Sequence, residues 1–188
     1  QRLIGVGGMG VVYEALQDQP RRTVAVKLMS ADLGSPAAEE RFAQESQALA
    51  LLRHPGIAQV FEAGADDAGG VRLVWYAMEF IPGAQTLTHY ADGRQLNIRE
   101  RLVLFASVCD AVEHAHTHGI FHRDLKPANI LVDASGQPKI LYFCVARVTE
   151  GDIHTPTMRT EAGQIVGTAA YMSPEQARGE PLDARTDV

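Results

Sequence analysis

Three polar side chains that lie close together in the sequence have the types that phosphate chemistry requires. Residues 122–129 read HRDLKPAN and contain Asp124, Lys126 and Asn129. A carboxylate can act as a general base, an ammonium group binds phosphate, and an amide oxygen is a neutral ligand for a hard metal ion. The spacing predicts that the three groups converge in one loop.

A pair of opposite charges is predicted in the first part of the chain. Alternation along residues 23–28 places Ala25 and Lys27 on one face of a strand, away from its aliphatic side. A helix is predicted from about Ser35-Pro36 to Leu52, and Glu45 shares its apolar face. A carboxylate on the packing face of a helix needs a cation. Because Glu45 follows Lys27 by only 18 residues, we predict that the two pair.

Gly5, Gly7 and Gly10 match the pattern G-x-G-x-x-G. The pattern alone is weak, because glycines also serve ordinary tight turns. A dinucleotide-binding fold requires a helix directly after the glycines, whereas here Val12 begins a run typical of a strand. The sequence therefore favours a glycine-rich loop between two antiparallel strands, whose backbone amides can approach phosphates.

In this order, the motifs resemble the catalytic domain of the protein kinase superfamily. Lys126, Gly167-Thr168 and the residues 173–176, which read SPEQ, are similar to the serine/threonine class, especially its bacterial eukaryotic-like members. The resemblance covers essentially the whole chain. Its last motif residue is Asp187, which in the family opens a large buried helix. The chain is accordingly interpreted as an excerpt of a longer protein, since it lacks an initiator Met.

The resemblance implies an α+β fold with two lobes. Residues 1–80 would form a small, mainly antiparallel β lobe with one helix, residues 81–84 a hinge, and residues 85–188 the start of a mainly helical large lobe. Short β-branched runs at residues 11–13, 23–28, 57–61 and 71–78 agree with this, since they predict strands in the first half.

The resemblance also implies ATP and Mg²⁺ as ligands and a role for each site residue. Asp124 would accept the proton of the substrate hydroxyl, Lys126 would steady the γ-phosphate, and Asn129 would bind magnesium. Lys27, fixed by Glu45, would hold the α- and β-phosphates. The other implied contacts are Gly5, Gly7 and Gly10 over the phosphates, Val12, Ala25 and Leu131 around adenine, the gatekeeper Met78, and the hinge backbone at Glu79 and Ile81.

Three residues are implied to be regulatory or to face the peptide. Arg123 would bind a phosphate on the activation segment, and Thr160 is the best placed of the threonines that could carry it. Thr168 belongs to the Gly-Thr turn that in the family contacts the peptide substrate.

The sequence departs from the family pattern at one motif. Where the family has Asp-Phe-Gly, this chain has Tyr142-Phe143-Cys144. A phenol with a pKa near 10 is neutral at pH 7 and a poor ligand for magnesium, and Cys144 lacks the backbone freedom of glycine. Magnesium binding is therefore predicted to be weakened.

In the second half of the chain, two short strands are predicted at residues 130–132 and 139–141, and before them a helix capped by Asn97. Its packing face is predicted from residues that recur every three or four positions. His114 and His118 share another face of this helix, but no third ligand adjoins them, so a metal site is disfavoured. The predicted packing residues are Ile98, Leu102, Phe105, Cys109, Val112 and His116.

Composition limits the possible partners. The 188 residues carry a net charge of −6, and the longest apolar runs fall far short of the roughly 20 residues that span a membrane. Nucleic acid binding and a membrane span within this chain are therefore predicted to be absent. Two cysteines are too few for a disulfide framework, which favours the cytoplasm, with an anchor outside this excerpt left open.

Two functions remain open from the sequence. The first is a serine/threonine protein kinase that acts on protein substrates. The second is a pseudokinase that binds nucleotide or a signalling partner without efficient transfer, which Tyr142 and Cys144 favour. A small-molecule phosphotransferase is disfavoured, because those relatives generally lack the Ser-Pro-Glu segment and the Gly-Thr turn.

Overall fold

A computed structural model describes residues 1–7, 10–29, 36–68, 71–141 and 169–188. The chain divides into two compact units. Gln1–His54 and Ala58–Pro82 form the first unit, while Pro55–Ile57 and Gly83–Val188 form the second.

The described residues of the first unit form a five-stranded antiparallel sheet and one helix. The order in the sheet is β1-β2-β3-β5-β4, so that β3 and β5 lie inside it and bury most of their side chains. The elements are β1 (Arg2–Gly7), β2 (Gly10–Gln17), β3 (Arg22–Met29), α1 (Pro36–Leu51), β4 (Val60–Ala68) and β5 (Val71–Glu79).

The predicted helix of this unit is confirmed as α1. Phe42, Leu49 and the following Leu52 are buried, as the apolar spacing predicts. Hydrophobic burial of three such side chains contributes several kcal/mol, at about 1.5–3 kcal/mol each, which stabilises α1 far beyond its intrinsic propensity.

The strand predicted at residues 57–61 is misplaced. The strand β4 begins only at Val60 and continues to Ala68, through glycine and aspartate residues that are typical of turns. Ile57 instead forms an isolated parallel bridge with Ile140 in the second unit. Pairing along the whole length of β5 outweighs the poor strand propensity of these residues.

The second unit combines a small sheet with helices. The strands β6 (Gln85–Thr86), β7 (Ile130–Val132) and β8 (Pro138–Ile140) are antiparallel neighbours in that order, and the two strands predicted after residue 129 are β7 and β8. The helices are α2 (Leu87–Gly93), α3 (Ile98–Thr117) and the short α4 (Pro174–Arg178), with 3₁₀ turns at Pro127–Asn129, Ala169–Tyr171 and Ala184–Asp187.

The helix α3 begins as predicted but packs on a different face. The side chain of Asn97 accepts from the amide of Glu100 at 3.0 Å, and Glu100 accepts from the amide of Asn97 at 2.7 Å, which completes a capping box. Of the predicted packing face, only Val112 is buried, while Ile98, Leu102, Phe105 and Cys109 are exposed. The buried stripe is Leu104, Val108, Ala111, Val112 and Ala115.

The packing face of α3 was predicted wrongly because two of its faces carry apolar residues with helical periodicity, the predicted one and the buried one. The stripe that packs contains two alanines without exposed surface, which permit close approach to β8. Within the described ranges, the structure has no helix that combines the length and apolar character needed to cross a membrane.

Candidate active site

The loop before β7 brings Asp124, Lys126 and Asn129 together. The Lys126 ammonium donates to Asp124 Oδ1 at 3.0 Å and lies 2.8 Å from Oδ2. Asn129 donates its amide to Asp124 Oδ2 at 2.9 Å and to the Asp124 backbone carbonyl at 2.7 Å. Pro127 starts a 3₁₀ turn that curls Asn129 back toward Asp124. The loop thus holds a carboxylate between a cation and an amide.

The orientation of Asn129 is fixed by these contacts. Because its amide nitrogen donates twice to Asp124, its amide oxygen is the group that remains for a cation. In the part of the chain that the structure describes, no group of three acidic, histidine or cysteine side chains can hold a metal ion. Magnesium beside Asn129 would therefore depend on phosphate oxygens, which is how that ion is commonly bound at phosphoryl-transfer sites.

The buried carboxylate of Asp187 holds the beginning of this loop. It accepts from the amide of His122 through Oδ2 and from the amide of Arg123 through Oδ1, both at 2.7 Å. His116 Nε2 lies 2.8 Å from Oδ2, and the Asp187 side chain has no exposed surface. Asp187 therefore links the end of α3 to the backbone that precedes Asp124.

The residue Arg123 adopts a conformation that is costly for a side chain with a Cβ atom. Its φ of 66° lies in the left-handed region, which costs about 1–2 kcal/mol. Its buried Nε has no hydrogen-bond partner among the described residues. The bonds of Asp187 to the neighbouring amides offset the backbone cost.

His122 is buried, with 1% of its surface exposed. Its Nδ1 accepts from the amide of Asp124 at 3.2 Å, so its Nε2 carries the proton and donates to the carbonyl of Leu141 at 2.7 Å. Burial lowers the pKa of His122 and keeps the ring neutral. This ring connects the loop of Asp124 to Leu141.

Lys27 lies on β3 and has only 6% of its surface exposed. Its register partners are Val12 on β2 and Tyr76 on β5, and its Nζ lies 5.9 Å from the centre of the Tyr76 ring. Lys27 lies, as predicted, on the face opposite Val24, Val26 and Leu28. That face is nevertheless buried, since Ala25 and Met29 on it are buried as well. A central strand is covered on both faces, which the alternation alone does not reveal.

The strand pairing places several predicted nucleotide contacts in the first unit. Ala25 is paired with Met78, and both are buried. Glu79 donates its backbone amide to the carbonyl of Gln59 at 2.8 Å, so this amide does not supply the predicted hinge contact. Ile81 also belongs to this unit, whereas Leu131 lies on β7 in the second unit.

The glycines of the first loop differ in what the structure demands of them. Gly10 has a φ of 132°, and a Cβ there would lie 1.9 Å from the carbonyl oxygen of Leu28. A Cβ at Gly5 would meet Val12 at an ordinary 3.7 Å. Gly7 ends β1 opposite Gly10. Of Gly5 and Gly10, therefore, it is Gly10 that the fold requires to be glycine.

Some predicted site residues lie outside the described residues. These are Tyr142, Cys144, Thr160 and Thr168, together with the side chain of Glu45, although its backbone belongs to α1. The predicted pair of Lys27 and Glu45 stays a prediction.

The order and spacing of these groups agree with comparisons to known proteins. The family described as protein kinase domain matches residues 1–188. The chain belongs to the protein kinase family. The five-stranded sheet with α1 is therefore the small lobe of a protein kinase domain. Residues 122–129, which include the predicted proton acceptor Asp124, are named the catalytic loop for that predicted role.

The similar proteins are bacterial serine/threonine kinases. A probable serine/threonine-protein kinase of Streptomyces coelicolor is 38% identical over 99% of this chain and 27% of its own length. The serine/threonine-protein kinases PknB of Mycobacterium leprae and Mycobacterium tuberculosis are 38% and 35% identical, each over 99% of this chain and 29% of the relative. The chain thus spans less than a third of the length of these relatives.

Two further side chains of this kinase domain make contacts around the catalytic loop that the sequence does not predict. His116 was assigned to a packing face, yet it lies against Asp187. Gln176 was noted only as part of a class motif, yet its side chain donates to the carbonyl of Arg123. The spacing of Ser173 and Gln176 is a signal for the capping box, but it does not indicate the contact with Arg123.

Proposed function

We propose that this kinase domain transfers the γ-phosphate of ATP to serine or threonine hydroxyls of protein substrates, with Asp124 as the proton acceptor. The observation that carries this proposal is the contact of Asp124 with both Lys126 and Asn129. These donors hold the carboxylate in one orientation. A carboxylate has about four acceptor positions, so Asp124 retains room for the substrate hydroxyl.

The proposed transfer balances without any further reactant. The substrate O–H bond breaks as its proton passes to Asp124, and the oxygen forms a bond to the γ-phosphorus. The bond from that phosphorus to the bridging oxygen breaks, and ADP leaves. Lys126, 2.8 Å from Asp124, is proposed to donate from its ammonium group to the γ-phosphate oxygens.

Magnesium, when bound with ATP, neutralises charge on the phosphates. Asn129 would hold it through its amide oxygen. Tyr142 stands where the family supplies the second ligand, so this donor set fits magnesium only in part. We expect the transfer to be slow for this reason.

The nucleotide would be held further by residues of the small lobe. Lys27 is proposed to bind the α- and β-phosphates, and its buried position gives its charge more effect than in water. The protein partner is proposed to be phosphorylated on a hydroxyl, and Arg123 to bind a phosphate on Thr160. The Arg123 Nε, which has no partner within the described ranges, supports the latter proposal.

The assay that tests the transfer compares the original protein with Asp124→Asn. We expect incorporation of labelled phosphate from ATP into protein serine or threonine to fall at least about a hundredfold in the variant, because the hydroxyl loses its proton acceptor. Equal incorporation by the two proteins would contradict the role of Asp124.

A second candidate function is favoured by Tyr142 and Cys144. In it, the domain is a pseudokinase that binds ATP and acts on a partner by its shape. Both candidates predict that ATP binds without magnesium, but only the pseudokinase predicts that added magnesium changes neither affinity nor phosphate incorporation. Calorimetry of ATP binding with and without magnesium, beside the transfer assay, separates the two.

A further inference from the structure

The side chain of Gln176 contacts two different parts of the second unit. Its Oε1 accepts from the amide of Ser173 at 3.0 Å, which is one half of the capping box of α4. Its Nε2 donates to the backbone carbonyl of Arg123, 53 residues earlier in the chain. One amide group thus caps a helix and also contacts the catalytic loop.

The carbonyl of Arg123 belongs to the peptide group that leads into Asp124. The amide of the same peptide group donates to His122 Nδ1 at 3.2 Å. Gln176 and His122 therefore hold opposite ends of this peptide group. Because Arg123 has a left-handed φ of 66°, the peptide would relax to a more favourable conformation without such contacts. Its orientation sets the direction in which the Asp124 side chain leaves the backbone.

The residue type at position 176 shows whether its side chain serves only the cap of α4 or also the contact with Arg123. A glutamate would serve the capping box as well as glutamine does, since only an acceptor is needed there. A carboxylate cannot donate to the carbonyl of Arg123, whereas the neutral amide accepts from Ser173 and donates to Arg123 at the same time. Glutamine is therefore the residue that performs both tasks.

We propose that Gln176 is a positioning residue for Asp124, which it orients through the Arg123 carbonyl. Its effect on catalysis rests on the proposed function, but its effect on the loop does not. The helix α4 follows directly from the segment that includes Tyr171 and Met172, so Gln176 also couples this segment to the catalytic loop.

The test uses two substitutions at Gln176 and one control. Gln176→Glu keeps the acceptor of the capping box and removes the donor to Arg123. Gln176→Met removes both contacts at nearly constant volume. The control Ser173→Ala removes the hydroxyl that accepts from the backbone amide of Gln176 at 3.3 Å. The side chain of Gln176 keeps its donor to Arg123 in this variant.

Hydrogen exchange followed by mass spectrometry measures the protection of the loop amides directly, in the full-length protein without nucleotide. We expect the amides of Arg123 and Asp124 to exchange about tenfold faster in Gln176→Glu and Gln176→Met, the size of effect that one hydrogen bond has. In Ser173→Ala they should exchange at the original rate, although α4 exchanges faster. If Gln176 only caps the helix, Gln176→Glu will leave the loop unchanged, and this result would overturn the proposal.

The catalytic consequence is measured in protein that carries Tyr142→Asp and Cys144→Gly. There, Gln176→Glu should lower kcat on the order of tenfold and leave KM for ATP unchanged, since the misplaced group is the base. Unchanged kcat together with faster exchange would overturn the positioning role. Absence of all transfer before Gln176 is changed would instead contradict the proposed function, and the exchange result would still decide whether Gln176 holds the loop.

Discussion

The side chain that does most to shape the catalytic loop is one that touches no substrate in the proposed reaction. Asp187 accepts from two consecutive backbone amides and lies against His116, with no exposed surface of its own. A buried donor that loses its acceptor costs about 1–3 kcal/mol. The conformation of the loop is therefore coupled to the stability of the domain.

Replacing Asp187 by alanine should lower the free energy of unfolding by about 3 kcal/mol or more, because two buried amides and His116 lose their acceptor. Denaturant unfolding measures this. Asp183→Ala is the matched control. Asp183 lies at the start of the same turn but pairs with the exposed Arg185, so its loss should lower the stability far less than the loss of Asp187. Equal losses in the two variants would refute the special role of Asp187.

The neutral ring of His122 makes stability depend on pH. Its pKa lies below 6.5, chiefly because of burial, although the carbonyl of Leu141 and the carboxylates of Asp187 and Asp124 oppose this. As the pH falls below about 6.5, the unfolded chain binds a proton that the folded domain does not. Stability is thus complete above about pH 6.5 and is lost toward the lowered pKa of the folded state.

Urea unfolding at pH values of about 7.5 and 5.5 should therefore show a loss of stability with acid. The loss should be smaller in His122→Gln, which still donates to Leu141 but does not titrate. An identical slope in His122→Gln and the original protein would show that another group is responsible.

At the scale of elements, helices and strands could be predicted largely from local patterns. The cap at Asn97, the helix α1 and the strands β7 and β8 follow from spacing and capping signals. The packing of α3 could not be predicted, because two of its stripes are apolar and only contact with β8 decides between them. The prediction of where β4 begins was wrong for a similar reason, because pairing with β5 overrides the local strand propensity.

The β2–β3 pair depends on glycine at one position of the first loop. In Gly10→Ala the new Cβ would lie 1.9 Å from the carbonyl oxygen of Leu28, at a φ of 132° that alanine rarely adopts. The free energy of unfolding should fall by about 2 kcal/mol or more. Gly5→Ala, where the Cβ would meet Val12 at 3.7 Å, should cost less than about 1 kcal/mol.

Thermal unfolding of the two alanine variants provides the comparison. Equal stability of Gly10→Ala and Gly5→Ala would contradict the steric argument at Gly10. The sequence alone does not show which glycine of the motif the fold requires. The register of β2 against β3, which brings Gly10 against the backbone of Leu28 and Met29, distinguishes Gly10 from Gly5.

At the scale of the whole molecule, the candidate site could be predicted better than the contacts that hold it. The residue types and spacing within residues 122–129 are enough to identify Asp124, Lys126 and Asn129 as site residues. The links through Asp187 and Gln176 could not be predicted, since they join residues more than 50 positions apart. Long-range hydrogen bonds leave no periodic signal in a sequence.

We propose that the catalytic loop of this chain is arranged for phosphoryl transfer, whereas its magnesium motif is altered to Tyr142-Phe143-Cys144. Both parts are present in one chain, since Asp124, Lys126 and Asn129 are joined by hydrogen bonds while position 142 is a tyrosine. If this is correct, the defect lies at Tyr142 and Cys144 and can be repaired there.

The most direct measurement is phosphate incorporation from labelled ATP by the original protein and by the variant with Tyr142→Asp and Cys144→Gly. We predict an increase of several orders of magnitude, because charge stabilisation at the phosphoryl group is worth on the order of 4 kcal/mol. Adding Asp124→Asn to the repaired variant should abolish the gain. Equal incorporation by the original and repaired proteins, or a gain that survives Asp124→Asn, would contradict the account.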